Sequence, residues 1–297
     1  MKVVSRLALS AGLALLAAAP QSFAADSTGA FEKEIAEWRQ ARHDRLASPD
    51  GWLTLVGLEW LEPGENAVGS DPSNDAVIPG GPGRWGTVVL KGDALLFQPE
   101  PESGVTIGDA PAVETQLVPD MRGEPTVVRS GDISFHVIQR GSFALRVKDR
   151  RAPTLLAFEG VPVYAADPSW RIEGDFHRAP DGEVVAIANV LGQVEDSPVF
   201  GTFEFERDGR SYRLLALGTE ESRSLWFLFA DRTTGPETYG AGRFLYSEDM
   251  PENGRLTVDF NKAYNPHCAF NDYSTCPLPP AQNRLDLHGR AGEKYYH

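Results

Sequence analysis

The most restrictive feature of this sequence is the short apolar–polar alternation that begins after Gly51. GTVVLKGDALLFQPE and ISFHVIQRGSFALRVKD alternate on both sides of Lys91-Gly92-Asp93 and Arg140-Gly141, so each predicts a hairpin. Further strands are predicted at VVAIANV, FGTFEFERDGRSYRLLAL, SLWFLFAD and RLTVDF. Turn residues every ~8–14 positions favour a sandwich or barrel. We therefore expect a mainly β fold, with a β-sandwich-like half over residues 51–160 and a second β-sheet half over 161–297 that ends in an ordered loop rich in Pro, Asn and Cys.

One amphipathic helix is predicted ahead of these strands, within residues 25–50. The segment FEKEIAEWRQARHDRLAS is followed by Ser-Pro-Asp-Gly, which stops a helix. The residues of one helix face recur at three- and four-residue steps: Phe31, Ile35, Trp38, Arg42 and Leu46.

Residues 1–24 have the three-part organisation of a signal peptide. Lys2 and Arg6 supply the positive start, Leu7–Pro20 is an apolar run, and Ser22-Phe23-Ala24 fits a cleavage site. The apolar run is shorter than the ~20 residues of a spanning helix, and no other segment approaches that length. We expect a soluble protein that is periplasmic or secreted after cleavage, with no membrane span.

The charge of the chain limits its partners. Its formal net charge is −14 at pH 7. Nucleic acid and anionic lipid would be repelled by such a surface, so neither is expected as a partner. A small polar or anionic ligand remains possible, no cofactor is indicated, and the oligomeric state is left open.

The two cysteines, Cys268 and Cys276, lie eight positions apart near the C-terminus. In an exported protein an isolated pair predicts a disulfide, which would stabilise so small a loop by about 2.5 kcal/mol. Two free thiols are one alternative. Zinc with His267 as a third ligand is the other, although the spacing is longer than in zinc knuckles and no second CxxC or HxxxH is present.

The usual catalytic signatures are absent from the sequence: it has no GxSxG, HExxH, P-loop or dinucleotide-binding glycine motif. His136 lies within an alternating strand pattern and is interpreted as a partly buried structural histidine. Whether the protein is an enzyme is therefore left open.

Gly69-Ser70-Asp71 and Asn74-Asp75, each beside a predicted strand, are similar to the start of a forkhead-associated β-sandwich. That family reads phosphopeptides with an arginine after the glycine, and Ser70 stands at this position. The resemblance implies a sandwich shape and not phosphothreonine binding.

The C-terminal third resembles the bacterial and archaeal family called DUF1684, a domain of unknown function. The motifs that carry the resemblance are Thr238-Tyr239-Gly240-Ala241-Gly242-Arg243, Asp259-Phe260-Asn261, Ala263-Tyr264-Asn265-Pro266, Cys268-Ala269-Phe270, Thr275-Cys276-Pro277-Leu278-Pro279-Pro280, Asn283-Arg284-Leu285 and Ala291-Gly292-Glu293-Lys294. It extends more loosely through WLTLVGLEWL, GSDPSND and RGSFALRVKD. His267 departs from the residues expected at its position, and the family implies no established activity.

The polar residues of these motifs form the candidate ligand-binding set: Tyr239, Arg243, Asp259, Asn261, Asn265, Asn283 and Arg284. On a strand, Asp259 and Asn261 would share one face. In one interpretation the asparagines bond irregular backbone and Arg243 or Arg284 neutralises Asp259. In the other, the arginines are bidentate donors to a ligand.

Three functional hypotheses follow. The first is a small-ligand binding or accessory module that uses these polar residues. The second is a hydrolase-like enzyme with carboxylate or metal chemistry around Asp259, and the third is a purely structural envelope protein.

Overall fold

The computed structural model describes residues 22–296. The predicted signal peptide, residues 1–24, therefore lies almost entirely outside the described residues. Within residues 22–296, no helix is both long and apolar enough to cross a membrane. The architecture is mainly β with one long helix at the N-terminal side, which confirms the fold class predicted from the alternating pattern.

Helix α1 spans Ser22–Leu46 and packs with the face that the sequence predicts. Ile35, Arg42 and Leu46 are all buried along this face. Glu34 ties the helix to the second half of the chain, because its Oε1 accepts from Arg171 at 2.6 Å and Lys262 at 2.7 Å. A short second helix, α2, spans Pro153–Leu156.

The first half of the chain is a two-sheet sandwich. Its strands are β1 Leu55–Trp60, β2 Gly64–Gly69, β3 Ala76–Val77, β4 Gly86–Lys91, β5 Ala94–Pro99, β6 Thr106–Ile107, β7 Ala110–Pro111, β8 Thr115–Gln116, β9 Val128–Ser130, β10 Ile133–Arg140 and β11 Ser142–Asp149. One sheet has the order β1-β11-β10-β9-β6-β7 and the other β3-β2-β4-β5-β8. Their facing apolar residues, such as Phe97 and Phe135, form one core. Both predicted hairpins are present.

The second half contains one larger antiparallel sheet. Its strands are β12 Arg171–Arg178, β13 Val184–Ala188, β14 Val194–Arg207, β15 Arg210–Leu217, β16 Trp226–Phe229, β17 Arg243–Tyr246 and β18 Arg255–Asp259. The order is β17-β16-β15-β14-β12-β18, and β13 pairs with β14. Phe203, Phe227 and Phe260 belong to its core. The predicted boundary near residue 160 falls between β11 and β12.

After β18 the chain continues without long strands, and we call residues 259–296 the C-terminal segment. It contains 3₁₀ turns at Phe260–Lys262, His267–Ala269 and Ala281–Asn283. The segment returns to the first half, where Asn271 donates to the carbonyl of Trp52 at 3.1 Å. It therefore joins the two halves of the molecule.

Candidate functional site

Asn283 completes the second sheet from within the C-terminal segment. It lies between β15 and β16, whose ladder is limited to the pair Leu217–Trp226. Its Oδ1 accepts from the N–H of Leu215 at 2.7 Å, and its Nδ2 donates to the carbonyls of Leu215 and Leu228 at 3.0 and 2.9 Å. The buried amide thus replaces backbone hydrogen bonds that the splayed strands do not make.

Arg243, the first residue of β17, holds the end of the chain. It forms an ion pair with Asp231 at 2.8 Å, and each side chain is only 1% exposed. The guanidinium also donates to the carbonyls of Ala291 at 2.5 Å and Gly289 at 2.9 Å. Nε is the one nitrogen without an acceptor among the described residues. The other nitrogens bond protein groups, so this arginine acts as an internal clamp.

The charge partner of Asp259 is Arg171, and not Arg243 or Arg284 as predicted. Arg171 faces Asp259 across β12 and β18, and its Nε lies 2.9 Å from Oδ2. Arg243 is on β17, at the opposite edge of the same sheet. The other carboxylate oxygen accepts from the backbone and side-chain nitrogens of Asn261 at 2.9 and 2.7 Å. Asn261 lies in a 3₁₀ turn that Asp259 caps, rather than on the strand.

Asn265 connects helix α1 to the tail of the chain. Its backbone N–H donates to Glu293 Oε2 at 2.6 Å, and its Nδ2 donates to the carbonyl of Lys294 at 2.8 Å. Arg42 donates to the Asn265 carbonyl at 2.9 Å and to Glu293 Oε1 at 3.1 Å. The polar groups of this loop therefore stabilise irregular buried backbone.

Tyr239 and Arg284 differ from the other predicted residues in being at least partly accessible. Tyr239 is half-buried and donates its hydroxyl to the carbonyl of Cys268 at 2.9 Å. Arg284 is exposed, and its side chain makes no hydrogen bond or ion pair with residues 22–296. The disulfide between Cys268 and Cys276 is confirmed, with Cα atoms 6.2 Å apart.

A different set of residues surrounds a cavity of about 770 Å³. It lies where the C-terminal end of α1, one face of the β10–β11 hairpin and the C-terminal segment meet. None of the seven predicted ligand-binding residues lines it. Its basic, imidazole and aromatic wall residues are Arg42, Arg45, Arg146, Lys148, His136, His267, Trp38, Trp52, Tyr246 and Tyr264. Junctions of this kind are common places for small-ligand sites.

The register of the β10–β11 hairpin brings three polar wall residues of this cavity together, with Ser134 beside them. His136 is opposite Arg146, and Ser134 is opposite Lys148. Because alternate residues point to opposite faces, Phe135 and its neighbours face the sandwich core while these four share the other face. Helix α1 and the C-terminal segment cover that second face.

Arg146 is the most unusual of these residues, because it is a buried cation without a carboxylate partner among the described residues. It is 4% exposed, and its guanidinium lies 4.9 Å from the centre of the Trp52 ring. Its one hydrogen bond to residues 22–296 runs from Nη2 to Thr275 Oγ1 at 3.4 Å, and Nε is buried without an acceptor. Burial lowers the pKa of Arg146 to about 10, so it stays charged at neutral pH.

Lys148 adds a second cation to the same wall. Its Nζ donates to the backbone carbonyl of Asp50 at 2.6 Å. An ammonium group has three donors, so two remain for other acceptors. Burial lowers the pKa of Lys148, and the carboxylate of Asp50 opposes that change.

Two histidines of the cavity are neutral at physiological pH. Burial, followed by nearby cations, lowers the pKa of His136 to about 4 and that of His267 to about 3. His267 also stacks on Trp52, with ring centres 3.6 Å apart and planes at 7°. A neutral imidazole still carries one N–H donor. The cavity wall thus combines cations and neutral donors with two carboxylates, Asp44 and Asp50, and because the cations outnumber the carboxylates it suits an anion.

This site was not predicted from the sequence, in which His136 was interpreted as a structural histidine and neither Arg146 nor Lys148 was a candidate residue. The sequence signal that could have indicated this site is the mixture of charged and apolar residues on one face of the β10–β11 hairpin. Ile138 and Ala144 share that face and are fully buried, so the face had to be covered by another part of the chain.

The sequence of this chain is similar to those of a protein family and of a solved structure. The sequence profile of the family described as "Protein of unknown function (DUF1684)" matches residues 156–294. An uncharacterized protein of Haloarcula marismortui with a solution NMR structure is 33% identical over 46% of this chain and 77% of its own length. The chain belongs to the DUF1684 family. The TM-score against the Haloarcula marismortui structure is 0.40, and no curated protein matches.

The DUF1684 match is narrower than the resemblance predicts. The upstream stretches WLTLVGLEWL, GSDPSND and RGSFALRVKD lie outside it, and the forkhead-associated similarity is not confirmed. The cavity takes Tyr246, Tyr264 and His267 from the DUF1684 region, whereas His136 and Arg146 precede that region.

Proposed function

We propose that this protein binds a small anionic ligand in the cavity between α1, the β10–β11 hairpin and the C-terminal segment. The observation that carries the proposal is Arg146, a guanidinium that is 4% exposed and has no ion pair with residues 22–296. Buried charges in proteins are normally paired, because removal from water is costly. An anion in the cavity would supply the missing partner.

The surroundings of Arg146 support an anion rather than a neutral ligand. Lys148 contributes a second positive charge from the same strand, and His136 lies opposite Arg146 as a neutral donor. These donors lie in a chain whose net charge is −14. A local excess of cations in an acidic protein favours anion binding at this place.

A carboxylate or metal centre around Asp259 has less support. Both oxygens of Asp259 accept hydrogen bonds from protein groups, and the side chain is 1% exposed. Within the part of the chain that the structure describes, no three His, Cys, Asp or Glu residues are grouped so as to hold a metal ion.

Anion-dependent stability tests the proposal. Unfolding of the mature protein is measured with and without phosphate, at constant ionic strength. A concentration of ~100 times the Kd should raise Tm by about 5–10 °C. Arg146→Met should abolish this rise, yet without phosphate it should be neutral or stabilising because an unpaired buried charge is removed.

Arg213→Met is the matched control, because Arg213 lies on β15 with a 72% exposed side chain and the substitution removes the same charge. This variant should keep the full response to phosphate. Arg146→Lys, which retains the positive charge, should keep part of the response. An equal response of the wild type and Arg146→Met would reject the cavity as the binding site, since general salt effects act on both.

We also propose that the mature protein acts outside the cytoplasm, beginning at Ala25. The disulfide between Cys268 and Cys276 supports this location, because such bonds persist in oxidising compartments. Intact-mass analysis of a periplasmic fraction, alkylated before reduction, should give a chain that starts at Ala25 with no labelled thiol. A cytoplasmic protein that starts at Met1 with two labelled cysteines would contradict the proposal.

A further inference from the structure

A second cavity of about 510 Å³ adjoins the first. The two share Asp50, His136 and Lys148 as wall residues. Because Lys148 lines both cavities, it lies at the junction between them. A ligand that contacts Lys148 can extend in either direction.

Arg129 and Arg150 provide the basic wall of the second cavity. Both donate to the carboxylate of Asp50, Arg150 at 2.8 Å and Arg129 at 3.2 Å. Lys148 donates to the Asp50 backbone carbonyl. The Nη1 of Arg129 is buried and has no acceptor in residues 22–296. Asp50 therefore fixes three cations in place and leaves donors unused on at least two of them.

The strand register sets the cations apart from one another. Ser134 on β10 is opposite both Lys148 on β11 and Arg129 on β9, so these residues form a row across three strands. The outer strands of such a row are about 10 Å apart. Lys148 and Arg129 are the two ends of this row, and Arg146 lies beyond the Lys148 end, two residues away on β11 and over the Trp52 ring. A single small anion contacts one end at a time.

The charge along this path is positive. The cations that line it are Arg42, Arg45, Arg129, Arg146, Lys148 and Arg150, and the carboxylates are Asp44, Asp50 and Asp109. Six positive and three negative charges leave a formal excess of +3. This excess positive charge is spread along the path rather than concentrated at one point. It therefore matches an anion whose charged groups follow one another along a chain.

We propose that the ligand is a linear polyphosphate group, free or esterified to an organic molecule, that spans both cavities across Lys148. This inference rests on the proposed function and specifies its ligand class. One terminal phosphate binds at Arg146, the middle of the chain at Lys148, and the other end at Arg129 and Arg150.

Calorimetric titration of the mature protein with orthophosphate, tripolyphosphate and a nucleoside triphosphate at equal ionic strength tests this inference. Tripolyphosphate should bind at least about tenfold more tightly than orthophosphate, since it engages further charge-assisted hydrogen bonds. Arg129→Met should remove about tenfold of the tripolyphosphate affinity, whereas orthophosphate affinity should stay within about twofold. Arg146→Met should weaken both, and Arg213→Met neither. Arg129→Lys, which retains the positive charge, should bind tripolyphosphate more tightly than Arg129→Met and so separates lost recognition from a folding defect.

Equal affinity for the nucleoside triphosphate and tripolyphosphate supports a free phosphate chain as the ligand, and tighter nucleotide binding supports a phosphate ester. Equal affinity for orthophosphate and tripolyphosphate, unchanged in Arg129→Met, overturns the two-cavity ligand and leaves the proposed function intact. If no anion binds, the proposed function fails as well.

Discussion

Arg243→Met should destabilise the protein by about 3–5 kcal/mol, the usual cost of removing one partner of a buried ion pair. The substitution leaves the carboxylate of Asp231 buried and unpaired, with both side chains 1% exposed in the wild type. It also removes the donors to the carbonyls of Gly289 and Ala291. Urea unfolding followed by tryptophan fluorescence, compared at equal m-value, measures the loss.

The double variant Arg243→Met/Asp231→Asn separates the two causes of this loss. It removes the stranded charge but not the missing donors, so it should be more stable than Arg243→Met alone. Arg213→Met, an exposed loss of the same charge, should change stability by less than about 1 kcal/mol. A change in the free energy of unfolding of less than about 1 kcal/mol in Arg243→Met would mean that Arg243 is not a structural clamp.

Arg243 is the last residue of the sequence motif Thr238-Tyr239-Gly240-Ala241-Gly242-Arg243, and its contacts show how this motif holds the backbone. Gly242, next to it, has a φ of +90°, and a Cβ there would lie 2.6 Å from both the Phe229 carbonyl and the Pro279 ring. The glycine permits this close approach, and the arginine then reaches the tail. Side chains that hold backbone in this way have few donors left for a ligand, whereas the cavity residues retain theirs.

The elements of the fold could be predicted because their signals are local. Period-two alternation gave the β10–β11 hairpin, and the recurrence of Ile35, Arg42 and Leu46 gave the buried face of α1. The partner of Asp259 could not be predicted. Choosing Arg171 over Arg243 depends on which strands occupy the two edges of the sheet, and that order is non-local.

Which segments cover the polar face of the β10–β11 hairpin could not be predicted from the sequence, for a similar reason. Arg146 and Lys148 alternate with apolar residues as they would on a solvated sheet face. What makes them a site is the cover supplied by α1 and by the C-terminal segment, which lies more than a hundred residues further along the chain. This cover leaves Arg146 buried without a carboxylate partner among the described residues, and the sequence of the hairpin does not say which segment provides the cover.

The two cavity histidines should make the protein sensitive to acid. His136 and His267 have folded-state pKa values of about 4 and about 3, because burial disfavours their charged forms, whereas an unfolded histidine has a pKa near 6.5. Between pH 6.5 and these lower values the unfolded chain binds protons that the folded protein does not. The free energy of unfolding therefore falls as pH is lowered through this window, and the contribution is fully present above pH 6.5.

At about 1.4 kcal/mol per pKa unit, His136 alone accounts for a loss of about 3 kcal/mol in the free energy of unfolding by pH 4, and His267 for at least as much.

Urea unfolding at pH 7.5, 6 and 5 in phosphate-free buffer measures the slope of the free energy of unfolding against pH. His267→Phe keeps a ring against Trp52 but does not titrate, and His136→Gln keeps polarity. Carboxylates with lowered pKa, such as Asp50, also contribute to acid sensitivity, so the decisive quantity is the difference in slope between wild type and variant. The double variant should have a clearly flatter slope between pH 6.5 and 5; an unchanged slope would show that these histidines are not buried as neutral groups, and the electrostatic description of the cavity would fail with them.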